Sequence, residues 1–79
     1  MAASVNRVII AGRLTRDPEL RFIPSGTGVC DLGLAINERT KQGDDKTTFV
    51  DVTCWGKTAE NVAEYCAKGR SVLVEGRLT

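Results

Sequence analysis

The sequence contains no histidine. A zinc site would therefore rest on thiolates, and acid–base chemistry near neutral pH loses its usual agent. Cysteine is scarce too. Cys30, Cys54 and Cys66 are widely spaced, form no CxxC pair and are odd in number, which argues against a disulfide framework. Reduced thiols used as small hydrophobes are the simpler reading. No basic segment followed by an apolar stretch opens the chain, so no signal peptide is read. The longest apolar run near that end, Val8 to Ala11, is far too short to span a bilayer. No membrane partner and a cytoplasmic location are expected. A charge of one sign is also missing. The 11 Lys and Arg against 10 Asp and Glu leave a net +1, so any electrostatic footprint must come from placement. With 79 residues the chain is read as one small domain. Such a domain buries only about 60% of its unfolded surface and needs a staple. With disulfides and metals set aside, self-association is the staple expected.

What is present is a succession of extended segments. Val5 to Leu14 reads as a strand, with Val8, Ile10, Gly12 and Leu14 on one face and Arg7, Ile9, Ala11 and Arg13 on the other. Arg16-Asp17-Pro18-Glu19 is a turn, and Leu20 to Ile23 a short extended piece. Val29 to Asn37 is the second strand, with Cys30, Leu32, Leu34 and Ile36 on its core face. A polar loop spans Glu38 to Lys46, and Thr47 to Trp55 is a third strand rich in β-branched residues. Thr58 is the expected N-cap of a short helix, with Gly69 as its C′ residue. Ser71 to Leu78 is a fourth strand. Three strands, a helix and a further strand form the order of an OB-fold, a five-stranded Greek-key barrel, without its last strand.

Phe49 and Trp55 are separated by an even number of positions and so share one face of the third strand. Val50, Val52 and Cys54 form the apolar row opposite, which must face the core. Two large aromatics thus point outward. Matching core faces permits only alternate registers with the second strand. One of these sets Leu34 opposite Val52 and Gly33 opposite Thr53, which lines the floor between the rings with small side chains. Arg39, Lys41 and Lys57 flank the third strand, and Arg7 and Arg13 lie on the non-core face of the first. Aromatic stacking with flanking phosphate contacts is how single-stranded nucleic acid is held. The same rings equally suit packing under a helix or in a subunit interface. Asp31 and Asp51 share the outward face and oppose phosphate.

Other chemistry is poorly supported. Gly26-Thr27-Gly28 lacks the third glycine and the following helix of a dinucleotide loop. Asp31 and Asp51 as an acid–base or metal pair have no histidine beside them. No catalysis, no cofactor and no metal site are expected.

Along its whole length the sequence resembles the bacterial-type single-stranded DNA-binding proteins. The resemblance is carried by Val5-Asn6-Arg7-Val8 through Gly12-Arg13-Leu14, by Asp17-Pro18-Glu19-Leu20-Arg21-Phe22 with Pro24-Ser25-Gly26, by Trp55-Gly56-Lys57, by Glu64-Tyr65 and Lys68-Gly69, and by Val74-Glu75-Gly76-Arg77-Leu78. It implies sequence-independent binding and protection of single-stranded DNA in replication, recombination and repair, by an OB-fold homotetramer associated with the nucleoid; an organellar location stays open. It also implies that Phe49 and Trp55 stack bases and that Lys57 contacts phosphate. A third stacking position corresponds to Thr40, which cannot stack. The family pattern continues through a long loop, a fifth strand and an acidic tail that recruits repair and replication proteins. On this basis the sequence is expected to be a fragment. The alternative reading is an OB-fold protein-interaction module or accessory replication subunit that turns its aromatic face toward a protein.

Overall fold

The computed structural model describes residues 2–79. The chain is mainly β, with strands β1 (Val8–Leu14), β2 (Glu19–Phe22), β3 (Gly28–Arg39), β4 (Asp45–Trp55) and β5 (Ser71–Gly76), and one helix, α1 (Gly56–Tyr65), between β4 and β5. All pairings are antiparallel, in the order β2-β3-β1-β5 with β4 on the other side of β3. The short extended piece is thus a true strand. It shares an edge of β3 with the end of β1: Leu14 pairs with Leu34, and Glu19 with Asp31. Four residues, 15–18, therefore face two, Leu32 and Gly33. This bulge bends β1 away to pair with β5 from Val8↔Gly76 to Arg13↔Ser71.

The period-two pattern of the sequence appears directly as burial in β1 and in the second half of β4, whereas β3, flanked by strands on both sides, buries residues of both faces, Val29 and Ala35 among them. In β1, Val8, Ile10 and Gly12 are half-buried and Leu14 is buried, while Ile9, Ala11 and Arg13 are exposed. The core gathers Leu14, Cys30, Leu32, Leu34 and Ala59, with Val52, Cys54, Val62, Cys66, Val72 and Val74 packed around them. α1 covers the β2 and β3 end of this layer through Ala59, which is fully buried. β4 and β5 do not touch, and the sheet stays open between them, with extents of 49 × 43 × 14 Å. The core faces of β4 and β5 accordingly remain only half-buried.

Several boundaries differ from the sequence reading. β1 starts at Val8, not Val5, because the side chain of Asn6 takes the place of a ladder rung. Its Nδ2 donates to the Leu78 carbonyl at 2.7 Å, and its Oδ1 accepts from the Leu78 amide at 2.7 Å. The β3–β4 ribbon runs to Arg39↔Asp45, so both ends of the polar stretch read as a loop, Glu38, Arg39, Asp45 and Lys46, are strand, and the turn itself is only Thr40–Asp44. It closes through the Thr40 amide to the Asp44 carbonyl at 2.7 Å. The register also lies two residues from the one expected: Leu34 faces Val50, Leu32 faces Val52, and Cys30 faces Cys54. Thr58 does not cap the helix. Gly56 adopts a φ of 63°, which favours glycine, and turns the chain straight from β4 into α1, so Trp55 is the cap residue and makes no side-chain cap bond. Gly69 does not follow the helix end either. Cys66 leaves α1 in an extended conformation, and Gly69 serves a later turn in which its amide donates to the Leu14 carbonyl at 2.8 Å.

Candidate nucleic-acid interface

The outward face of β3 and β4 is a ladder of odd-numbered residues. Val29 faces Trp55, Asp31 faces Thr53, Gly33 faces Asp51, and Ala35 faces Phe49. Phe49 is 73% exposed and Trp55 58% exposed. Both rings therefore project from the sheet as the parity of β4 requires, and the floor beside them is Ala35, Gly33 and Val29. The rings stand six positions apart, roughly 20 Å along the strand.

Arg13 stands in the same row as Phe49. It pairs with Ala35 on one side and Ser71 on the other, which puts it two strands from the ring, about 10 Å across the sheet. A shallow depression lined by Ala11, Arg13, Ala35, Asn37, Ser71 and Leu73 lies beside it. Lys57 is exposed in the first turn of α1, two residues past Trp55. Arg39 shares the outward parity of Phe49 at the far end of the ribbon, where its Nε donates to the Gly43 carbonyl at 3.4 Å. Lys41 is exposed in the turn. That turn is mixed in charge, since Asp44 and Asp45 adjoin Lys41 and Lys46. Arg7 is the site residue that the structure sets apart. It precedes β1, and its guanidinium is ion-paired with Glu75 of β5.

Two arginines outside the sequence-predicted set lie on this face. Arg21 pairs with Val29 in the β2–β3 ladder, in one row with Trp55. Its Nη1 reaches the Oδ2 of Asp31 at 2.5 Å, and the Thr53 hydroxyl donates to Oδ1 at 3.1 Å. The Arg21 hydrogen bond, helped by that of Thr53, holds the Asp31 carboxyl below its ordinary range. Asp31 is thus an occupied ion-pair partner and not a bare charge facing phosphate. The second is Arg16. The bulge throws it back over β3, where its Nη1 lies 2.5 Å from the place a Cβ on Gly33 would occupy. The pairing of Arg21 with Asp31 depends on the β2–β3 register, which parity does not fix, and the position of Arg16 depends on the bulge, which no local residue pattern marks.

The thiols take no part in this face. Cys30 is buried, Cys54 and Cys66 are half-buried, and all are free. Burial, with neighbouring negative groups adding to it, pushes the Cys30 and Cys54 thiols up from their ordinary value. Among the described residues no group of three or more His, Cys, Asp or Glu is arranged to hold a metal ion. Among the described residues no helix is long and apolar enough to cross a membrane.

The single-strand binding protein family matches residues 5–79. The chain belongs to that family. It is 48% identical over 77 residues to the single-stranded DNA-binding protein of Wolinella succinogenes, an alignment covering 92% of this chain and 48% of that one. Against the single-stranded DNA-binding protein of Thermus thermophilus it is 49% identical over 78 residues, covering 99% of this chain and 29% of the relative. The crystal structure of the single-stranded DNA-binding protein from Thermus aquaticus superposes with a TM-score of 0.81 at 47% identity, over 94% of this chain and 32% of that one. The OB-fold follows from that match. The chain spans about half or less of the length of these relatives.

Proposed function

We propose that the chain binds single-stranded DNA without sequence preference on the outward face of β3 and β4, and that it does so without catalysis. The observation that carries this reading is the pair Phe49 and Trp55, both exposed, both on one face, over a floor of small or short side chains. Every base has a π-face, so stacking on such rings is indifferent to sequence. Arg13, Arg39, Lys41 and Lys57 supply phosphate contacts around the rings. Arg7, already paired with Glu75, contributes less. The relatives' names, single-stranded DNA-binding protein, support the same reading. A role in replication, recombination and repair, close to the nucleoid, is the setting proposed for such binding. Self-association, as a tetramer or a dimer of dimers, is proposed from the half-buried core faces of β4 and β5, which a sheet this thin leaves incompletely covered.

The test is quenching of Trp55 fluorescence by poly-dT. Trp55→Ala, which keeps no tryptophan and is read by the anisotropy of a labelled dT oligonucleotide, should weaken binding by about 1–3 kcal/mol with the fold intact. Affinity should fall with salt at a slope near −0.7 per phosphate contacted. Absence of quenching, or binding indifferent to salt, would instead favour a protein partner for the aromatic face.

A further inference from the structure

We propose that Arg16 is a phosphate contact of the outward face, held between the two aromatic rings over the bare backbone of Gly33. The proposal rests on the reading of that face as a single-strand site, and it adds a residue that neither parity nor spacing selects.

Three observations carry it. The first is position. Gly33 faces Asp51, so Arg16 stands two positions along the ladder from Phe49 and four from Trp55. At the rise of a strand this is roughly 7 Å from one ring row and 13 Å from the other. A strand of nucleic acid stacked on both rings passes over this point. The second is how it is held. The bulge at residues 15–18 crosses the sheet here, tied by the Thr15 amide to the Gly33 carbonyl at 2.9 Å. Any side chain at position 33 would collide with Thr15 Oγ1 and Arg16 Nη1. The missing side chain is what admits the guanidinium. The third is availability. Arg7 is paired with Glu75, and Arg21 with Asp31. Among the described residues Arg16 makes no ion pair and no side-chain hydrogen bond, although Asp31 and Asp51 are both nearby on the face. Its five N–H donors remain open to a ligand, in the fork geometry that suits phosphate oxygens.

The experiment compares the full chain with Arg16→Ala, Arg16→Gln and Gly33→Ala, using the anisotropy of a fluorescein-labelled dT oligonucleotide across a salt series. Trp55→Ala in the same series tests the underlying reading. Losing one phosphate contact should lower the salt slope of both Arg16 variants by about 0.7, which amounts to about eight-fold weaker binding at 50 mM salt than the difference near 1 M. Gly33→Ala keeps the charge but displaces the guanidinium, because the added methyl meets only side-chain tips; it should lose affinity at unchanged net charge. A purely structural role for Arg16 would lower the melting temperature and leave the slope alone. If the wild-type chain binds, Trp55→Ala weakens it, and Arg16→Ala and Arg16→Gln keep the wild-type slope, this assignment fails and the single-strand site stands. If the wild-type chain does not bind, both fail.

Discussion

Ala35 lies directly across the β3–β4 ladder from Phe49, and it is 7% exposed while the ring beside it is 73% exposed. A single methyl thus sits at the foot of a projecting aromatic, and Arg13 stands on its other side. The ring face stays open because the neighbour is short. Ala35→Leu should raise the floor against the ring and weaken binding to poly-dT toward the loss expected for Phe49→Ala, about 1–3 kcal/mol for one stacked base. Because both changes remove the same contact, the double variant should lose little more than Phe49→Ala alone. Additive losses would show that Ala35 acts independently of the ring. Trp55 quenching reads both.

Arg21 and Asp31 give a prediction with a definite pH sign. The hydrogen bond from Arg21 lowers the folded-state pKa of Asp31 below its unfolded value. Stability from this pair is therefore present above the ordinary carboxylate pKa and is lost as pH falls through the lowered folded value. Arg21→Ala should move the Asp31 titration up toward the ordinary range, as followed by NMR of its carboxyl carbon. Any stability gap between wild type and variant should be seen at neutral pH and close in acid. Both groups are well exposed, so the gap should be small and salt-sensitive. An Asp31 titration that does not move would remove Arg21 as its cause.

The faces of this sheet were legible in the sequence, and its register was not. Alternation in β1, β3 and β4 told which side chains share a surface, and that placed Phe49 and Trp55 outward. Parity is blind to a slip of two, because every core residue still meets a core residue. The turn decides between such registers, and it was hidden inside a polar run. Glu38, Arg39, Asp45 and Lys46 have loop-like composition yet pair in the ladder, since a ribbon edge in water tolerates polar residues on both faces. The helix start was missed for a related reason: Thr58 has the chemistry of a cap, but the backbone of Gly56 turns the chain two residues sooner. Arg16 was out of reach because its place depends on four residues spanning two, a feature of pairing and not of any local pattern.

The thiols should report the layers of the fold. Cys30 is wholly buried and faces Cys54 across the ladder, and burial raises both thiols. A thiol-specific reagent should therefore modify Cys54 and Cys66 before Cys30, and Cys30 only at the rate of unfolding. The reaction at Cys54 should keep accelerating above the pH where an ordinary thiol, near 8.5, has levelled off. Mass spectrometry of digested, partly labelled protein assigns the order. Early modification of Cys30 would contradict its place in the core.

Gly12 is where β1 is tied to β3, and that junction admits no side chain. A Cβ at this position would stand 2.6 Å from the carbonyl oxygen of Ala35, which is backbone and cannot rotate aside. The strands must separate to admit it, at the one place where Arg13↔Ala35 and Leu14↔Leu34 join them. Gly12→Ala should therefore cost about 1–3 kcal/mol, as overpacking against a fixed backbone does. For a domain this small each kcal/mol lowers the melting temperature by roughly 4–8 °C. Gly76→Ala is the control, since a Cβ there meets nothing within 4 Å, and its melting temperature should match wild type. The loss should also reach binding, because separating the strands shifts Arg13 and Ala35 from the Phe49 row. A Gly12→Ala chain that melts like wild type would mean that β1 and β3 do not approach as closely as this ladder requires.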